Sequence, residues 1–140
     1  MDIQSQVDLW NLLHDGCIEQ IEVREKKVRL WVGIEYLLER LQPPAEHICI
    51  ELLETTRFDL AQGSESFDMV SIQKVESIYV GILSAQQEGS EVKVFTDQGS
   101  ISIESASTRL TFDDGRKTSL AQLKELATGY WDEFGADKSK

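Results

Sequence analysis

His14-Asp15-Gly16-Cys17-Ile18-Glu19-Gln20-Ile21-Glu22-Val23-Arg24-Glu25-Lys26-Lys27-Val28-Arg29-Leu30-Trp31-Val32-Gly33-Ile34-Glu35-Tyr36 is the stretch whose reading decides the fold. From Val28 onward, apolar residues stand at every second position: Val28, Leu30, Val32, Ile34 and Tyr36. Strand side chains alternate between faces, so five apolar groups point one way over nine residues. A helix would scatter them around its circumference. The spacing predicts a strand over 28–36, with one covered and one wetter face, as in an antiparallel sheet. A slip of one residue would bury Arg29 and Glu35, which specifies the register. The preceding Cys17 to Glu25 reads as the other arm of a hairpin, with its turn at Lys26-Lys27. Ile21 and Val23 alternate properly, but Ile18 stands three residues before Ile21. A β-bulge near Glu19-Gln20 reconciles the two.

Upstream, Ser5 to Leu13 reads as a short helix capped by Ser5, with Leu9, Trp10, Leu12 and Leu13 on its apolar side. His14-Asp15-Gly16 stops it, with Gly16 suited to a left-handed conformation. Downstream, Leu37 to Leu41 either extends the strand or curls into a turn, and Pro43-Pro44 ends it. Ile48, Ile50, Leu52, Phe58 and Leu60 share one parity, so His47 to Leu60 is a long strand or a bent pair. Ala61 to Asp68 has the composition of a mobile polar loop, and Met69 to Lys74 carries no clear period. Ile78, Val80 and Ile82, then Val92 and Val94, then Ile101 and Ile103, then Leu110 and Phe112 alternate between glycine-bearing turns. That is the pattern of an antiparallel meander. Ser119 and Gln122 cap a final helix whose apolar stripe is Leu120, Leu123, Leu126, Ala127, Tyr130, Trp131 and Phe134. Gly135 is its expected stop, and 136–140 a frayed tail. The whole predicts one α+β domain over residues 1–140. Its core is a predominantly antiparallel, twisted, meander-like sheet of about six to eight strands. A short N-terminal helix precedes it and an amphipathic C-terminal helix follows.

A 41% hydrophobic content fits a folded chain. The formal net charge is −11, from 25 acids against 14 bases. Leu41 to Phe112 holds 11 of the acids and 4 of the bases, net −7. Phosphate backbones and anionic membrane surfaces would repel such a chain, so nucleic acid and membrane are excluded as expected partners. A basic protein would be attracted. The plainer reading is that acidic surface keeps the protein soluble. No apolar run approaches the length of a transmembrane helix. Met-Asp-Ile-Gln-Ser-Gln lacks the basic start and apolar run of a signal peptide, so a cytoplasmic location is expected. Cys17 and Cys49 stand apart from any C-x-x-C and are expected reduced.

Three groups of residues are candidates for a binding site. His14-Asp15 beside Trp10 could act as a base near neutral pH. No nucleophile is placed by motif to use it, and the plainer role is to satisfy backbone groups at a helix-to-strand junction. His47, Glu51 and Asp59 share a strand face with Arg57, while Glu54 has the other parity. Paired carboxylates serve hydrolases, but an arginine among them reads as an ion-paired, solvated face. Trp31, flanked by Arg29 and Glu35 on the wetter side of the spine, is either an interface anchor or covered by a helix. No nucleotide motif, cofactor or metal-ligand set is signalled.

Trp10-x-x-Leu13-His14-Asp15-Gly16-x-Ile18-x-x-Ile21, followed by Val28-x-Leu30-x-Val32, resembles the opening of small uncharacterised bacterial α+β families. Some of these are grouped with the immunity proteins of toxin–immunity systems. The likeness covers about the first quarter of the chain and brings no site residue with it. It implies a non-catalytic protein that binds and neutralises a partner, and the acidic balance suits a basic one. The alternative is a small-molecule binder or hydrolase with a pocket inside a curled sheet, and a homodimer is a third arrangement.

Overall fold

The computed structural model describes residues 1–68, 74–75 and 79–138, with the backbone alone for 74–75 and 132–138. Helix α1 (Ile3–Leu12) precedes strands β1 (Cys17–Arg24) and β2 (Lys27–Gly33), and a one-turn helix α2 (Glu35–Leu38) follows. Then come β3 (Ile48–Gln62), β4 (Glu65–Phe67), β5 (Lys74–Val75), β6 (Val80–Glu88), β7 (Glu91–Thr96), β8 (Gly99–Phe112) and helix α3 (Leu120–Lys138). The fold is α+β, and its described strands form one sheet with antiparallel pairings.

The sheet closes on itself. Strands run in the order β2-β1-β6-β7-β8-β3, and β3 also pairs with β2. Two three-stranded meanders, β1-β2-β3 and β6-β7-β8, therefore meet at two seams to make a six-stranded ring. Closure removes the unpaired edges that an open sheet would expose. β4 continues beyond the ring as a hairpin arm on β3, and β5 pairs with β1.

The ring is filled from within. Val28, Leu30 and Val32 of β2 are fully buried, as are Ile48, Ile50, Leu52, Phe58 and Leu60 of β3. Ile101, Ile103, Val92 and Val94 join them from the opposite wall in one continuous core. The bulge falls where the broken period requires it: the β1–β2 register shifts between Ile18 and Gln20. Both Ile18 and Ile21 thereby reach the interior. β3 bends at Glu54, which holds φ 48°, and its register with β8 shifts between Thr55 and Arg57.

Several local expectations are corrected. The spine ends at Gly33, so Tyr36 is not a strand residue. Ile34, Leu37, Leu38 and Leu41 sit at helical spacing, and burying that stripe outweighs continuing the alternation. The hairpin turn is Glu25-Lys26 rather than Lys26-Lys27, since Arg24 pairs with Lys27. Asp2, not Ser5, caps α1: its carboxylate accepts the Ser5 N–H at 2.7 Å. Asp15, not Gly16, takes the left-handed conformation, at φ 73°. Gly16 serves close approach instead, because a Cβ there would lie 2.9 Å from the Leu13 carbonyl. Ala61 to Asp68 is no loose loop; β3 turns at Gly63 (φ 61°) into β4. Helix α3 passes through Gly135 to Lys138, because a helix-interior glycine costs only about 1 kcal/mol. Ile78, residues 69–73 and residues 139–140 lie outside the described residues.

Helix α1 packs on β6 and β7 and buries Leu9, Trp10 and Leu13. Its Asn11 side chain acts as a strand segment: Nδ2 donates to the Ala85 carbonyl at 3.0 Å, and Oδ1 accepts the Ala85 N–H at 2.8 Å. Helix α3 packs on α1 and α2, buries Leu123 and sets Tyr130 against Tyr36 at 4.5 Å between ring centres.

Candidate functional site

A groove of about 560 Å³ opens at the end of the ring beside the β1–β6 pairing. Gly33 is part of its lining, and a Cβ there would collide with a Glu19 carboxylate oxygen. Glu19 is the bulge residue. An extra residue in one strand re-aims a side chain, and here it turns the carboxylate across the bare Gly33 toward the start of β3. There Glu19 Oε2 lies 2.9 Å from His47 Nε2. Asp113, in the turn after β8, approaches the other ring nitrogen, with Oδ2 3.4 Å from Nδ1. Asp113 is held in place from two sides. Its N–H donates to the His47 carbonyl at 3.2 Å, and its Oδ1 accepts the Glu46 N–H at 3.3 Å.

The rest of the lining is acidic. Asp15, Glu19, Glu35, Glu39 and Glu46 contribute five carboxylates, and Cys17, Ile34, Ala45 and Tyr79 complete it with His47. No lysine or arginine lines the groove among the described residues. Burial pushes the Cys17 thiol above its ordinary pKa, and Glu19 and Asp97 add to that against a hydrogen bond with Tyr79. The thiol therefore stays protonated and is a poor nucleophile.

The seven candidate residues fall into four places. Asp15 and Glu35 line the groove. His14 sits beside it: Nδ1 lies 2.7 Å from the Asn11 carbonyl and so carries the donated proton. Its ring stacks on Trp131, with centroids 6.4 Å apart. Asp15 is a loose neighbour at 3.8 Å. This is the junction-satisfying arrangement rather than a poised base. Trp10 is 1% exposed and belongs to the core.

Arg29, Trp31 and Glu51 lie together on the outer wall formed by β2, β3 and β8. Arg29 stacks over the Trp31 ring at 5.2 Å. Trp31 is half-buried between its cross-strand partners Gln20 and Cys49. Glu51 is not solvated: it is 6% exposed, takes Lys27 Nζ at 2.7 Å and pairs across the ladders with Arg29 and Arg109. The Lys27 hydrogen bond, helped by the charges of Lys27, Arg29 and Arg109, holds its carboxyl below the usual range against the cost of burial. Farther along β3, Arg57 bonds Asp59 at 2.6 Å and also Glu91, an ion-paired face.

Glu19, Glu46, His47 and Asp113 come together without having been grouped from the sequence. One signal was present. The bulge at Glu19 was readable from the broken period, and bulges often aim side chains at sites. The approach of Asp113 to His47 depends on the β3–β8 pairing and leaves no local trace. Comparison with protein-family models, with curated proteins and with solved structures returned no match.

Proposed function

We propose that the protein is a non-catalytic binding module that takes a cationic partner at the acidic groove. The observation that carries this reading is the lining: five carboxylates converge with no described lysine or arginine among them. Like charges held this close raise the local negative potential, which steers a basic partner and rejects an acidic one. The groove's volume suits one or two inserted lysine or arginine side chains. The main interface would lie on the surrounding surface, where the net charge of −11 works in the same direction. The resemblance of the opening segment to immunity proteins supports a toxin in the partner's role, and the acidic balance suits a basic one. The side-chain-filled ring counts against a pocket inside the sheet.

The test uses an oligo-arginine peptide in EDTA-containing buffer, followed by calorimetry. Binding is expected to weaken steeply with salt. The triple variant Asp15→Asn/Glu35→Gln/Glu39→Gln is expected to lose at least about tenfold, roughly 1.4 kcal/mol. Equal affinity for a neutral peptide, or an unchanged triple variant, would overturn the reading.

A further inference from the structure

The two contacts of the His47 ring are chemically unequal. Nε2 to Glu19 at 2.9 Å is an ordinary charge-assisted hydrogen-bond length. A neutral imidazole has one N–H, and this short contact claims it. Nδ1 then turns a lone pair toward Asp113 Oδ2, also an acceptor, 3.4 Å away. Two acceptors facing each other repel unless a positive centre lies between them. That centre is either a second ring proton or a metal ion.

The distance has room for the ion. Good N–H···O bonds span about 2.7–3.2 Å, so 3.4 Å is long for a protonated ring against a carboxylate. Two ligands about 2.05 Å from a tetrahedral ion are separated by about 3.3–3.4 Å. A third ligand stands beside them: carboxylate oxygens of Glu46 and Asp113 and a nitrogen of His47 all lie within 4.8 Å of one another. Glu46 is exposed, so its side chain is free to close the remaining gap. The Glu19 contact completes the pattern. A metal-bound histidine commonly donates its other N–H to a carboxylate, which fixes the tautomer and orients the ring.

We propose that Glu46, His47 and Asp113 bind a first-row divalent ion of the zinc type, with Glu19 as the positioning carboxylate behind His47. One imidazole with two carboxylates favours zinc, cobalt or nickel over magnesium and calcium, which prefer all-oxygen sets. The two ligating carboxylates balance the ion's charge, and the fourth position is left to water or to a donor from a partner. This inference stands on the His47 geometry and not on the groove's choice of partner.

The experiment titrates the full chain with zinc chloride alone at pH 7.5, with no peptide present. Its outcome is therefore separate from that of the oligo-arginine test. One equivalent is expected to bind. His47→Gln and Asp113→Asn should each weaken it at least tenfold, and Glu19→Gln by 10- to 100-fold. Cys49→Ser, outside the groove, should leave it unchanged. Because a variant can fail through misfolding, the wild-type imidazole resonances are followed as well: His47 should shift with zinc while His14 does not. Unchanged affinity in His47→Gln, loss in Cys49→Ser, magnesium competing at equal concentration, or His47 resonances that answer to pH and not to zinc would each overturn the assignment.

Discussion

The seam between β3 and β8 runs from Ile48 opposite Phe112 to Gln62 opposite Gly99, almost the full length of both strands. Among the described residues, the seam between β1 and β6 shows two pairs, Cys17 with Gly81 and Ile18 with Val80, and β5 adds Ile21 with Val75 and Glu22 with Lys74 on the same strand. Each joins one three-stranded meander to the other, yet they are held by different means. Main-chain hydrogen bonds and inward apolar side chains hold the long seam. Side-chain and turn hydrogen bonds add to the described pairs at and around the short one. Asp15 N–H donates to Ile82, and Ile82 N–H donates to Gly16. Asp97 accepts the Gly81 N–H at 2.9 Å, and Asn11 pairs both backbone groups of Ala85. The acidic groove opens beside these pairs, with Glu19 and Tyr79 in its lining. A ring can thus be closed by a long ladder on one side while side chains beside the other seam line a surface site.

The largest effect is expected on the long seam. Phe58 is 1% exposed in the middle of β3, and Phe58→Ala should lower unfolding stability by about 3–5 kcal/mol in urea titration. At the short seam, Asn11→Ala leaves the Ala85 N–H and carbonyl without their partners, and should cost about 1–3 kcal/mol. Hydrogen exchange sharpens the contrast: the Ala85 amide should speed up in Asn11→Ala while the β3 amides keep their protection. Equal losses in the two variants would erase the distinction between the seams.

The smallest effect is a pH dependence on the outer wall of the long seam. The Glu51 carboxyl is held below its ordinary value of 4.5, first by the Lys27 hydrogen bond. A carboxyl depressed by folding contributes stability above its unfolded value, and that contribution is lost as pH falls through the folded one. The wild type should therefore lose stability relative to Glu51→Gln as pH drops below 4.5. The difference should be about 1 kcal/mol or less, because Lys27 is half exposed. Parallel urea midpoints across that range would show that the pair contributes nothing.

Much of the local structure was legible in the chain. Val28, Leu30 and Val32 declared the spine, the Ile18–Ile21 offset declared the bulge, and glycines at 89 and 99 marked the hairpins, because each signal lies within a few residues. Tyr36 misled because the alternation of Ile34 and Tyr36 overlaps the helical stripe of Ile34, Leu37, Leu38 and Leu41, and only packing chooses between them. The candidate site was half legible. Asp15 and Glu35 could be named singly, but the convergence of Glu19, His47 and Asp113 needs a bulge, a bare Gly33 and the β3–β8 register acting together.

By itself, the sequence determined strand periods, turn positions, helix stripes and an acidic surface, since a residue's neighbours in the chain decide these. The tertiary structure alone decided that two meanders close into a ring through the β3–β8 and β1–β6 pairings, and that four polar side chains from three segments meet at its mouth. The physical reason is range. Alternation and capping are energies of adjacent residues, whereas closure is a choice among distant pairings, settled by which one buries the shared apolar faces with the fewest backbone groups unpaired.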